Sequence, residues 1–172
     1  QLHEAQERQH VQQSQFGAIF EQAPNPMGIS TLDGKFYLAN SAFSNMLGYT
    51  LEELTKLSTH EVTHPDDRES ARQFHAQVLR DGSGRLEKRY ITKEGRTVYA
   101  IAYISVFKNS TGQPLGLIGQ IVDLTQLREA SERLLESESQ FRIVFEQAPN
   151  PIGIAKLDGH FYLTNAAFSR LL

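Results

Sequence analysis

The chain has 172 residues, a net charge of −3, 40% hydrophobic and 22% charged residues, and no cysteine. This length predicts one domain plus a remainder, with enough chain to bury a core. The charge balance offers no global basic field for nucleic acid. No run of 18 apolar residues exists to span a membrane. The lack of cysteine rules out disulfides, thiol chemistry and Cys-ligated zinc or iron–sulfur clusters, and it fits a reducing, cytoplasmic compartment.

Residues 1–22 read as a polar, glutamine-rich helix. Phe16, Ile19 and Phe20 form its apolar patch at spacings of three and four, and Pro24 and Pro26 end it. Two short β-rich runs follow, MGIST and KFYLA, separated by the hairpin signal Asp33-Gly34. Asn40 is placed to cap a short helix over SAFSNML, which Gly48 ends. Thr50 and Glu53 have the spacing of a capping box. In HPDDRESARQF, Pro65 and the acids Asp66, Asp67 and Glu69 suit a helix N-terminus, and Phe74 and Val78 lie on the apolar face of that helix. Three further strands are expected: RLEKRYITK, RTVYAIAYISVFK and PLGLIGQIVDL. The middle one is apolar on both faces, which predicts cover on both. A helix then begins at LTQLREASERLL, with Leu127, Leu134 and Phe141 seven residues apart as a short, imperfect heptad seam.

One segment occurs twice. FEQAPNPMGI starts at Phe20 and FEQAPNPIGI at Phe145, an offset of 145 − 20 = 125 residues. At the same offset Asp33, Gly34, Phe36, Tyr37, Asn40 and Phe43 match their counterparts up to the end of the chain. The match also extends back into the polar helix, where Leu2, Glu4, Ala5 and Arg8 recur as Leu127, Glu129, Ala130 and Arg133. The unit is too long for a solenoid repeat, usually about 20–50 residues. It reads as duplication of a whole domain with its linker. The expected organisation is a linker helix over 1–22, a domain over 23–125, a second linker helix over 126–144 and the start of a second domain over 145–172. This predicts that the chain is part of a longer protein.

Two strands, several short helices, three strands and an exit helix, in that order, resemble the PAS family of sensory domains. The residues that carry the resemblance are LDGKFYLANSAF, GYTLEEL, THPDDR, KEGR and IVDLT. No single motif among them is specific; the ordered set is. It covers about residues 20–125, and 145–172 resemble the opening of a second copy. The resemblance implies an α+β fold: a five-stranded antiparallel sheet of order 2-1-5-4-3 with short helices over one face and a cavity between. It further implies a regulatory sensor or dimerisation module of a signal transduction protein, without catalysis of its own, whose output domain would be a histidine kinase or a cyclic-dinucleotide enzyme elsewhere. The alternative is a dimerisation and spacing module that senses nothing.

The cavity is expected to be lined by Met27, Ile29, Phe43, Met46, Phe74, Val78, Ala100, Ala102, Ile104, Leu117, Gly119 and Ile121, where small residues in the last two strands leave room for a small apolar ligand. The competing reading is that Phe43, Phe74 and Met46 fill the space. No cofactor is the first expectation. The light-sensing flavin subgroup needs a cysteine that is absent here; for haem, His64 has a sufficient role as a helix start and the spacing of His75 to Gly82 does not match the haem-binding subgroup. Asp66 and Asp67 are expected as caps rather than metal or acid–base groups, and Arg85, Lys88 and Arg89 as a solvated strand face. Ser14, His10 and Glu7 form no nucleophilic set. Asp123 and Thr125 are the candidate coupling residues, with Thr125 as cap of the exit helix and Asp123 paired to a base. The apolar linker seams predict a homodimer. The unpaired strands of the second copy predict that residues 141–172 either pair with a neighbouring chain or exchange with 16–47 in a domain swap.

Overall fold

The protein was studied as a computed structural model, which describes residues 13–171. Helix α1 covers 13–22. The rest of the expected first helix, with His10 and Glu7, lies outside the described residues, as does Leu172. The chain divides into two units, residues 1–125 and 126–172.

In the first unit, β1 (Met27–Ser30) and β2 (Phe36–Ala39) form a hairpin. Gly34 turns it at φ +88°, a value that favours glycine. Helices α2 (Ser41–Leu47) and α3 (Leu51–Leu54) follow. Both carry the expected signals. Asn40 Oδ1 accepts from the Phe43 amide at 3.0 Å, and the Thr50–Glu53 capping box is complete. A 3-10 turn (Pro65–Asp67) leads into α4 (Arg68–Asp81). Three long strands close the unit: β3 (Ser83–Ile91), β4 (Thr97–Lys108) and β5 (Pro114–Asp123).

All five strands pair antiparallel in the order β2-β1-β5-β4-β3, as the resemblance implies. The core lies between one sheet face and the short helices. Phe43, Leu47, Leu54, Val62 and Val78 are at most 2% exposed, and burying each such side chain contributes about 1.5–3 kcal/mol. The rings of Phe36, Phe43 and Tyr90 interlock, with centroids 5.4 and 6.5 Å apart. The other sheet face differs from expectation. Tyr37, Tyr103 and Val122 stand exposed there; among the described residues, α2, α3 and α4 pack on the core side.

The second unit contains most of α5 (Thr125–Gln147), then β6 (Gly153–Ala155), β7 (Phe161–Thr164) and α6 (Ala166–Ser169). Its two strands make a sheet of their own. Residues 27–39 keep their own place beside β5 in the first unit.

Candidate functional site

A cavity of about 340 Å3 lies between the sheet and the helices of the first unit. Its floor is built by strand register. Antiparallel partners point to the same face, so the pairs Ala102↔Ile121, Ile104↔Gly119 and Ser30↔Leu117 form one continuous strip, apolar but for Ser30 at its end. Phe43 of α2 and Phe74 and Val78 of α4 form the roof. Gly119 lets Ile104 lie close, since a Cβ there would sit 3.0 Å from Ile104 Cδ1. The open volume shows that Phe43 and Phe74 above it leave space.

Eight of the twelve expected lining residues meet there: Phe43, Phe74, Val78, Ala102, Ile104, Leu117, Gly119 and Ile121. Four do not. Met27 and Ile29 lie on the opposite face of β1, since Gly28 pairs with Gly119 and Ser30 with Leu117 and these two take the cavity side. Ala100 is on the inward face but one pair too far along β4, where it is fully buried in the core. Met46 packs against that same core.

Sequence reasoning missed the polar part of the wall, which comprises Ser30, Asp33, Ser58, Thr59, His60, Arg72, His75 and Lys88. Residues 58–60 come from the irregular segment after α3, where no periodicity reveals a facing direction. Lys88 corrects the expectation of a solvated strand face. It alternates with Arg85 and Arg89, so it points inward with Tyr90 while they do not. Its Nζ donates to Thr63 Oγ1 at 2.8 Å and stands 4.3 Å from the centre of the Tyr90 ring. Thr63, fully buried, donates its own hydroxyl proton to the Thr59 carbonyl at 2.7 Å. Burial pushes the Lys88 ammonium down to about 8, against the opposing pull of Asp67. Burial likewise raises the Tyr90 phenol.

Asp67 is not a helix cap. Its carboxylate takes the Arg89 guanidinium on both oxygens, at 3.0 and 2.6 Å, and the Arg89 backbone amide at 2.7 Å. This fork ties the start of α4 to the edge strand β3. It holds the Asp67 carboxyl below its usual range and raises Arg89. His75 lines the cavity with Nε2 2.8 Å from the Leu32 carbonyl, so ligation of an iron through that nitrogen would break an existing bond. Among the described residues, no group of three or more His, Asp or Glu could hold a metal ion.

At the end of β5 the roles differ from expectation: Asp123 meets the helix amide instead of a base, and Thr125 bonds to β4 instead of capping the helix. Asp123 Oδ1 accepts from the Thr125 amide at 2.8 Å, satisfying the first amide of α5. Thr125 Oγ1 accepts from the Tyr99 amide at 3.1 Å, and the Leu124 amide donates to the Tyr99 carbonyl at 2.7 Å. The helix start is thus stitched to β4, the neighbour of the strand that floors the cavity. On α5, Leu127, Leu134 and Phe141 are all more than half exposed.

The entrance to the unit is held by Asn40. Asn40 is fully buried. Its Oδ1 accepts from the Met27 and Phe43 amides, and its Nδ2 donates to the carbonyls of Phe20 and Asn25 at 3.2 and 3.0 Å. One side chain therefore joins α1, β1 and α2.

The family model described as PAS fold matches residues 36–121. Over 130 residues the chain is 26% identical to the sensor histidine kinase TmoS of Ectopseudomonas mendocina, covering 74% of this chain and 13% of that protein. Over 158 residues it is 30% identical to the probable diguanylate cyclase DgcE of Escherichia coli, covering 86% of this chain and 14% of that protein. The chain thus spans a small part of these relatives. The crystal structure of the PAS domain of an HTR-like protein from Haloarcula marismortui is similar at a TM-score of 0.60 and 22% identity, covering 70% of this chain and 98% of that one. Among the described residues, no helix is long and apolar enough to cross a membrane.

Proposed function

The chain belongs to the PAS family, a sensory and non-catalytic fold, and on that premise we propose that it is a regulatory module whose cavity takes a small ligand and whose exit helix carries the response. One observation carries this reading. Strand β5 supplies Leu117, Gly119 and Ile121 to the cavity floor and, at its end, Asp123 to the first amide of α5. A shift of that strand on ligand binding moves the helix start with it.

The exposed Leu127, Leu134 and Phe141 on α5 favour a homodimer, with the helices passing the change to an output domain of histidine kinase or cyclic-dinucleotide type. The proposed setting is cytoplasmic. The same exposed seam is what a plain dimerisation and spacing module would carry. The exchange of residues 141–172 with 16–47 is kept as a proposal for the dimer.

The test is Asp123→Ala in the intact signalling protein. It should leave the protein folded but make its output equal in the stimulated and unstimulated states. Output that still switches as in the wild type would overturn the coupling and leave the spacer.

A further inference from the structure

The polar groups around the cavity are mostly engaged by the protein itself. Arg72 is paired with Glu69 at 2.6 Å, the Asp33 carboxylate accepts from the Thr31 hydroxyl, and His75 Nε2 is bonded to the Leu32 carbonyl. Lys88 is different. An ammonium has three N–H donors. One goes to Thr63 Oγ1, and the Tyr90 ring covers one side. Among the described residues, the Lys88 Nζ makes one hydrogen bond, the one to Thr63 Oγ1. Two carboxylates lie near in sequence or space; Asp67 attracts the ammonium from a distance, but neither accepts a hydrogen bond from it. Asp67 is taken up on both oxygens by Arg89, and Glu87 alternates to the opposite face of β3. A cation at an apolar wall calls for a counter-charge, since burying it unpaired is costly.

Resting on the reading of this cavity as a ligand site, we propose that the ligand is a small carboxylate with an apolar body, its carboxylate seated on Lys88 and its body against the strip of Ala102, Ile104, Leu117 and Ile121. The chemistry selects this class. A carboxylate offers acceptors for the two remaining N–H donors and balances one positive charge. A dianionic phosphate would bring a second, uncompensated charge against the apolar strip. A neutral alcohol would leave the ammonium without its counter-charge. The volume of about 340 Å3 lies at the small end of ligand pockets, about 300–1,000 Å3.

The test uses the whole 172-residue chain and two probes of equal chain length, octanoate and octan-1-ol, titrated by calorimetry. The wild type should bind octanoate at least ten-fold more tightly than octan-1-ol. Lys88→Met should lose at least ten-fold for octanoate while keeping its affinity for octan-1-ol. Lys88→Arg should retain the preference for the anion. If Lys88→Met does not fold, Lys88→Gln carries the same comparison. Equal binding of the two probes, or octanoate binding that survives loss of Lys88, would overturn the ligand class while leaving the cavity as a ligand site. Binding of neither probe would also overturn it, and the sensor reading would then stand or fall on the Asp123→Ala output.

Discussion

The two copies of the repeated segment make the same local joint and reach different degrees of burial. In the first, Asn40 binds the amides of Met27 and Phe43; in the second, Asn165 binds those of Ile152 and Phe168, each at 2.9 Å. Both asparagines are fully buried. The stacked ring pair repeats as well, Phe16–Phe20 and Phe141–Phe145. The apolar positions diverge. Phe36 is 6% exposed and its counterpart Phe161 58%. The asparagine joint needs only about twenty-five contiguous residues, all present in both copies. Phe36 packs in a cluster with Tyr90, Val98, Ala102 and Ile121 of β3, β4 and β5, strands that these 172 residues contain once.

Substitutions at matched positions put this difference to the test. The largest gap is expected between Phe36→Ala and Phe161→Ala. The first should cost about 4 kcal/mol in urea unfolding, and the second should stay within about 0.5 kcal/mol. Comparable losses would mean that the second copy has a core of its own. Asn40→Ala should cost about 3 kcal/mol in the same experiment, because it leaves several buried backbone groups without a partner. Asn165→Ala should instead act locally, seen as faster amide hydrogen exchange at Ile152 and Phe168 with the main unfolding transition unmoved.

A third test concerns pH. Asp67, which lies in the first unit, has its carboxyl lowered by Arg89. The unfolded state therefore binds more protons in acid. The stabilisation is full above the usual carboxylate range and is lost as pH falls through about 4 towards the depressed folded value. Asp67→Asn should cost about 2 kcal/mol at pH 7 and flatten that acid limb, read as midpoint against pH. An unchanged acid limb would mean that the fork contributes nothing. The smallest effect is expected at the acids beside each joint. Glu146 accepts from the Ala166 amide at 3.0 Å, and Glu21 accepts from the Ser41 hydroxyl. Each Glu→Ala change should cost about 0.5 kcal/mol, read as local exchange rates.

Much of the fold was legible because its signals are local. The Asp33-Gly34 turn, the Thr50–Glu53 box, Gly48 at its helix end and the alternation along β4 all appear where the residues place them. The cavity was legible in part. The inward faces of β4 and β5 follow from period two, and so do Ala102, Ile104, Leu117, Gly119 and Ile121. The phase of β1 was not legible, because MGIS reads equally well on either face until it pairs with β5. Lys88 was hidden for a related reason. In RLEKRY, charges surround it, and only the pairing of β3 with β4 decides which of them turn inward.

What the sequence by itself determined is the set of elements, their order, the duplicated joint and the absence of any thiol site, since each depends on residues within a turn or two of one another. What only the tertiary structure decided is the phase of the short strand, the inward turn of Lys88, the Asp67–Arg89 fork, and the bonding of Asp123 to the first amide of α5 and of Thr125 to β4. Each of these joins residues distant in the chain or competing for the same few amides, and strand register, which no local pattern encodes, chooses among them.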